Sequence, residues 1–162
     1  MTKNVLLEVL KEFTTNTVAD LILPVRAQKE NPTPTQRAAE VYLMRLPDSK
    51  SAKLKAPYIL HQVITGSDKQ PSGQKEMARA TIRSIFVVYC DDESEGALHL
   101  LNLMERFRLE LLKTVVLSNR FELNLEEGVE TIIYPDDTAP YFMGEMVTTW
   151  NLPPVQREVV YE

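Results

Sequence analysis

Residues 87–96 read VVYCDDESEG, an apolar run that ends in a cysteine and passes into four acids within five positions, Asp91, Asp92, Glu93 and Glu95. Carboxylates just past the end of a strand can bind Mg²⁺ or serve as general acid and base. Such a site needs ligands converging from more than one place, and Asp136-Asp137 in YPDDTAP would have to supply them. A plainer account fits the same residues. Acids in the first turn of a helix favour its positive end by roughly 0.3–1 kcal/mol each, and Ser94 or Asp92 can cap a free backbone N–H there. Asp136-Asp137 follows a proline and reads as a turn. A helix start and a turn are the preferred readings, and no metal ligand is assigned.

The other reactive side chains are few. Cys90 sits at the end of an apolar strand and reads as a buried free thiol, with a reducing compartment as its mild corollary. His61 lies inside a strand and His99 on a helix. There is no His-x-x-x-His, Cys-x-x-Cys or Glu-x-x-His pair, which speaks against zinc and non-haem iron. A Cys90–His dyad would require proximity that spacing does not show. Gly66 and Gly73 flank a loop holding Lys69 and Lys75, but GxxxxGK[ST], GxGxxG and GxSxG are all absent. The loop reads as a hairpin tip, and its polar residues Asp68, Lys69, Gln70 and Lys75 are the candidate partner-binding positions. No catalytic or cofactor-binding residue is assigned, so a binding or structural protein is expected rather than an enzyme.

These residues belong to a chain of 162, a length that fits one domain, with 44% hydrophobic residues to fill a core. The net charge of −5 comes with basic residues that are scattered rather than clustered, so nucleic acid is an unsuitable partner. MTKNVLLEVLKEF carries acids inside its apolar pattern and reads as neither signal peptide nor membrane span.

Helical spacing of Val5, Leu6, Val9, Leu10 and Phe13 predicts a helix over 3–23, loosened at Thr14 to Thr17. Residues 24–38, with three prolines, read as an extended arm or linker. Strands follow at 40–46, 57–65 and 78–90, the second and third joined by a long polar loop, 66–77. The third strand places Ile82, Ser84, Phe86, Val88 and Cys90 on one face, and its apolar end should be covered on both sides. A second helix over 94–117 has its stripe at Ala97, Leu101, Met104, Phe107, Leu111 and Val115, widened by Leu98, Leu109 and Leu112. Strands at 120–125, 129–135 and 141–152 complete the chain, and VQREVVYE could add an edge strand. The order α–βββ–α–βββ predicts an α+β fold: a mostly antiparallel sheet with helices packed on one face.

The run from residue 78 to 157 resembles the tail terminator (tail completion) proteins of long-tailed bacteriophages and prophages. The resemblance rests on ATIRSIFVVYCDDESEG, ALHLLNLMERFRLELLK, RFELNL and the block TIIYPDDTAPYFMGEMVTTWNLPPVQRE. The preceding helix and hairpin agree in order with that family. The resemblance implies a virion protein that closes into a homo-oligomeric, hexameric ring. Such a ring caps the tail tube, ends polymerisation of the tube protein and presents a surface to the head connector, after assembly in the bacterial host cytoplasm. It carries over no individual site residue. Two alternatives stay open: another neck or head–tail joining protein, and a small metal-dependent enzyme or ligand-binding domain built on the 91–95 acids with Asp136.

Overall fold

The structure, a computed structural model, describes residues 2–27, 35–47, 52, 54–135 and 138–155. Helix α1 (Lys3–Val18) starts where the Thr2 hydroxyl accepts the Val5 N–H at 3.3 Å, and it buries Leu6, Leu7, Leu10, Thr14 and Val18. The threonine-rich turn does not loosen it. The hydroxyls of Thr14, Thr15 and Thr17 donate to the carbonyls of Leu10, Lys11 and Phe13 at 2.6, 2.8 and 2.7 Å, so the side chains satisfy themselves without leaving the helix. The helix stops at Val18, short of the expected residue 23, because Leu23–Val25 forms a strand, β1.

β1 pairs antiparallel with β2 (Thr35–Arg37), so both ends of the expected extended arm are a two-stranded ribbon; residues 28–34 lie outside the described residues. Arg37 pins this ribbon by donating to the carbonyls of Pro57 and Lys55 at 2.9 and 2.6 Å.

The main sheet contains β3 (Glu40–Leu43), β4 (Tyr58–Lys69), β5 (Met77–Tyr89), β6 (Val116–Leu117), β7 (Phe121–Leu123), β8 (Val129–Ile133) and β9 (Tyr141–Leu152). The order is β3-β4-β5-β9-β7-β6, with β8 also on β9. Every pair is antiparallel except β3–β4, which is parallel with Glu40 beside Tyr58. β3 ends at Leu43, before the expected Leu46, because Met44 takes a left-handed conformation (φ 65°) and turns the chain away. The expected loop 66–77 is largely sheet: Gly66, Ser67, Asp68 and Lys69 pair with Ala80, Arg79, Ala78 and Met77, leaving a tip of residues 70–76. The arm follows a register shift between Val63 and Thr65, past which the ladder continues without apolar alternation. Val155 is in no strand, and residues 156–162, the expected edge strand, lie outside the described residues.

α2 (Glu93–Thr114) lies with α1 on one face of this sheet, over Ile59, Ile82, Phe86, Val88, Met146 and Trp150, all buried. The fold is α+β. The other face carries a smaller cluster of Ala56, Tyr58, Leu60, Val87 and Tyr141, so the end of β5 is covered on both sides as expected. The expected stripe of α2 is corrected. Its buried face is Gly96, Leu100, Leu103, Met104, Phe107 and Leu111, whereas Leu98, Leu101, Leu109 and Leu112 point outward at 61, 39, 49 and 38% exposure. Leucine recurs on both faces, and the face that wins holds the glycine that lets the helix approach the sheet. A Cβ on Gly96 would lie 2.1 Å from the Phe142 ring.

Gly96→Ala is therefore expected to destabilise the fold by about 1–3 kcal/mol through overpacking, against a helix-propensity gain of about 1 kcal/mol. Urea unfolding of Gly96→Ala, and of Gly96→Ala combined with Phe142→Leu, checks this: the second change should recover part of the loss.

Candidate functional site

Asp92 is the N-cap of α2, accepting the N–H groups of Ser94 and Glu95 on Oδ1 at 3.0 and 3.2 Å. Asp91 accepts the Tyr89 hydroxyl at 2.6 Å. That hydrogen bond, with burial and the Asp91 charge adding to it, raises the Tyr89 phenol to about 12. Asp91 and Asp92 are thus joined to the strand end and the helix start. Asp136 and Asp137 lie outside the described residues.

A different set of metal-capable side chains converges at the same junction. One thiol, one carboxylate and one imidazole, those of Cys90, Glu95 and His99, place their ligand atoms within 4.8 Å of one another. Cys90 follows the last residue of β5 and continues its helix-covered face after Val88, which makes it buried. Glu95 and His99 stand one turn apart on the same flank of α2, the first exposed and the second half-buried. The pattern Glu-x-x-x-His one turn into a helix was visible in the sequence. The missing datum was that the strand's last helix-facing position lies under that flank.

His61 has a different role. It is fully buried, with Nε2 2.9 Å from the Thr14 hydroxyl and Nδ1 2.7 Å from the Ser84 hydroxyl. Thr14 already donates its hydrogen to the Leu10 carbonyl, so it accepts from Nε2–H, and Ser84 donates to Nδ1. This network holds a neutral imidazole, and burial pushes its pKa down to about 3.

The expected partner-binding residues sit at the far end of the long hairpin. Asp68 and Lys69 are exposed residues of β4, Gln70 follows them, and Lys75 is exposed on the tip. Asp68, Lys69 and Gln70 line a groove of about 320 Å³ with Glu76, Met77, Ala78, Pro154 and Val155; Lys75 does not line it. Among the described residues no helix is long and apolar enough to cross a membrane.

Because the imidazole is neutral in the fold and protonates near pH 6.5 once unfolded, its contribution is complete above that pH. It is lost progressively as pH falls from about 6.5 toward about 3. Stability should drop by up to about 1.4 kcal/mol per pH unit from this group. Urea midpoints measured from pH 7.5 to 5 should slope more steeply in the native chain than in His61→Gln. Equal slopes would show that the imidazole is not held neutral.

No family model matches the chain, and no curated protein matches its sequence.

Proposed function

We propose that this chain is a structural subunit of a phage or prophage tail that closes into a ring by head-to-tail contact, in the manner of a tail terminator. The observation that carries the reading is the second apolar face of α2. Leu98, Leu101, Leu109 and Leu112 follow helical spacing along the side opposite the core. Single exposed leucines need no explanation, but four aligned on one helix form a patch. The charges among them are already matched: Arg108 makes a two-pronged pair with Glu105 at 2.9 and 2.7 Å, which holds the Glu105 carboxyl below its ordinary range.

A closed ring uses two unlike patches on each subunit. A second patch is available at β8. Among the described residues this strand pairs only with β9, and Ile132 and Ile133 are 45 and 46% exposed beside its free edge. An apolar strand edge of this kind invites pairing with another chain. The β4–β5 hairpin, with Asp68, Lys69, Gln70 and Lys75 near its end, extends from the sheet and is suited to meet the tube protein. The resemblance to tail terminators supplies the kind of assembly, and the two patches supply its physical means.

Electron microscopy and light scattering of the purified chain, alone and with polymerising tube protein, test this. The expected result is rings of about six subunits of 18.5 kDa that arrest tube growth. Leu98→Glu with Leu109→Glu should abolish rings while leaving the circular dichroism spectrum of the folded chain unchanged, since each leucine buried between subunits contributes about 1.5–3 kcal/mol. A native chain that stays monomeric with tube protein present, and never caps it, defeats the proposal.

A further inference from the structure

We infer that Cys90, Glu95 and His99 form a site for a thiophilic divalent transition metal, with zinc the ion that fits best. The inference is independent of the ring reading. The three donors come from two elements, the end of β5 and the first two turns of α2, so their convergence is a property of the fold. Their ligand atoms lie within 4.8 Å of one another. Tetrahedral zinc holds sulfur, nitrogen and oxygen ligands about 3.3–3.8 Å apart. Rotation of the exposed Glu95 side chain, together with a small turn of His99, would close the difference around the buried sulfur.

The donor types select the ion. Thiolate with imidazole suits zinc and its neighbours and does not suit Mg²⁺ or Ca²⁺, which take oxygen. The charges also balance. A thiolate, a carboxylate and a divalent ion sum to zero, so the buried sulfur carries no net charge into the core once the ion is bound. Three protein ligands leave one position for water on the exposed Glu95 side. An organic substrate is a poorer fit. The groove of about 390 Å³ along the same turns of α2 is lined by Glu93, Ala97, Leu100 and Phe142, and by none of the three donors. The neighbouring acids are committed elsewhere, Asp92 to the helix cap and Asp91 to Tyr89. The metal would thereby fasten the end of the central strand to the helix that covers it.

The test uses the full chain stripped with chelator and then titrated with Zn²⁺ and with Co²⁺. One ion should bind per chain, and zinc at a hundredfold excess over Kd should raise Tm by roughly 5–10 °C. Cobalt should give the thiolate charge-transfer band and the visible bands of a four-coordinate ion. Cys90→Ser should lose the charge-transfer band. His99→Ala and Glu95→Gln should each weaken zinc at least about tenfold, since even disturbing an outer partner of a metal site costs about 10–100-fold. Asp91→Asn should bind as the native chain does. His99→Ala changes a half-buried side chain, so it keeps the test valid if Cys90→Ser folds poorly. The absence of stoichiometric zinc binding overturns the inference. Binding unchanged in His99→Ala, or Mg²⁺ bound as tightly as zinc, overturns it as well.

Discussion

The core is organised around one buried polar group, the neutral imidazole of His61. It joins three elements by hydrogen bonds, through Thr14 of α1, its own strand β4 and Ser84 of β5. Phe107 of α2 lies over it, with ring centroids 5.5 Å apart, and also meets Phe86 at 5.6 Å and Phe13 at 6.4 Å. An imidazole without partners at this depth would cost several kcal/mol, so the position of α1 on the sheet is specified as well as favoured. Hydrophobic burial alone would tolerate sliding of the helix along the sheet. The two hydroxyls that must face the two ring nitrogens do not.

The parts of the fold that were legible in the sequence are those where a single period decides the outcome. The two-residue strand period sorts β5 and β9 as observed: Phe86, Val88, Met146 and Trp150 toward the helices, Val87 and Tyr141 away from them. A helix cap at the strand-to-helix junction was legible, with Ser94 or Asp92 as its residue, and the fold uses Asp92. Where two signals compete, the sequence was ambiguous. α2 carries leucine on both faces, and the choice between them depends on Gly96 meeting Phe142, a contact across 46 residues of chain. The hairpin arm at Gly66–Lys69 has no apolar alternation, and its register is offset from that of Tyr58–Val63 by an irregularity between Val63 and Thr65 that no local pattern announces. The parallel β3–β4 pair is a matter of topology that no local pattern encodes.

The junction site was half legible for the same reason. Glu95 and His99 are one helical turn apart, and that much is local. Cys90 joins them only because β5 enters α2 through three residues, Cys90, Asp91 and Asp92, while the helix is held close to the sheet at Gly96. Asp91, Asp92, Glu93 and Glu95 fall within five positions of the sequence. In the fold, one of the four separates from the others and turns toward a thiol and an imidazole.

α2 therefore has three distinct surfaces, and they do not interfere with one another. Its inner face completes the core through Phe107, its first turns present Glu95 and His99 to the strand end, and its outer face displays leucines around an internally paired Glu105 and Arg108. A helix that covers a sheet needs only the first of these. The area of Leu98, Leu101, Leu109 and Leu112 that stays in water gains nothing for the isolated chain. Their physical use arises when another surface removes them from water. An ion held at the first turns of the same helix would stiffen the element that such a surface must recognise, lowering the ordering cost of that contact without adding to it.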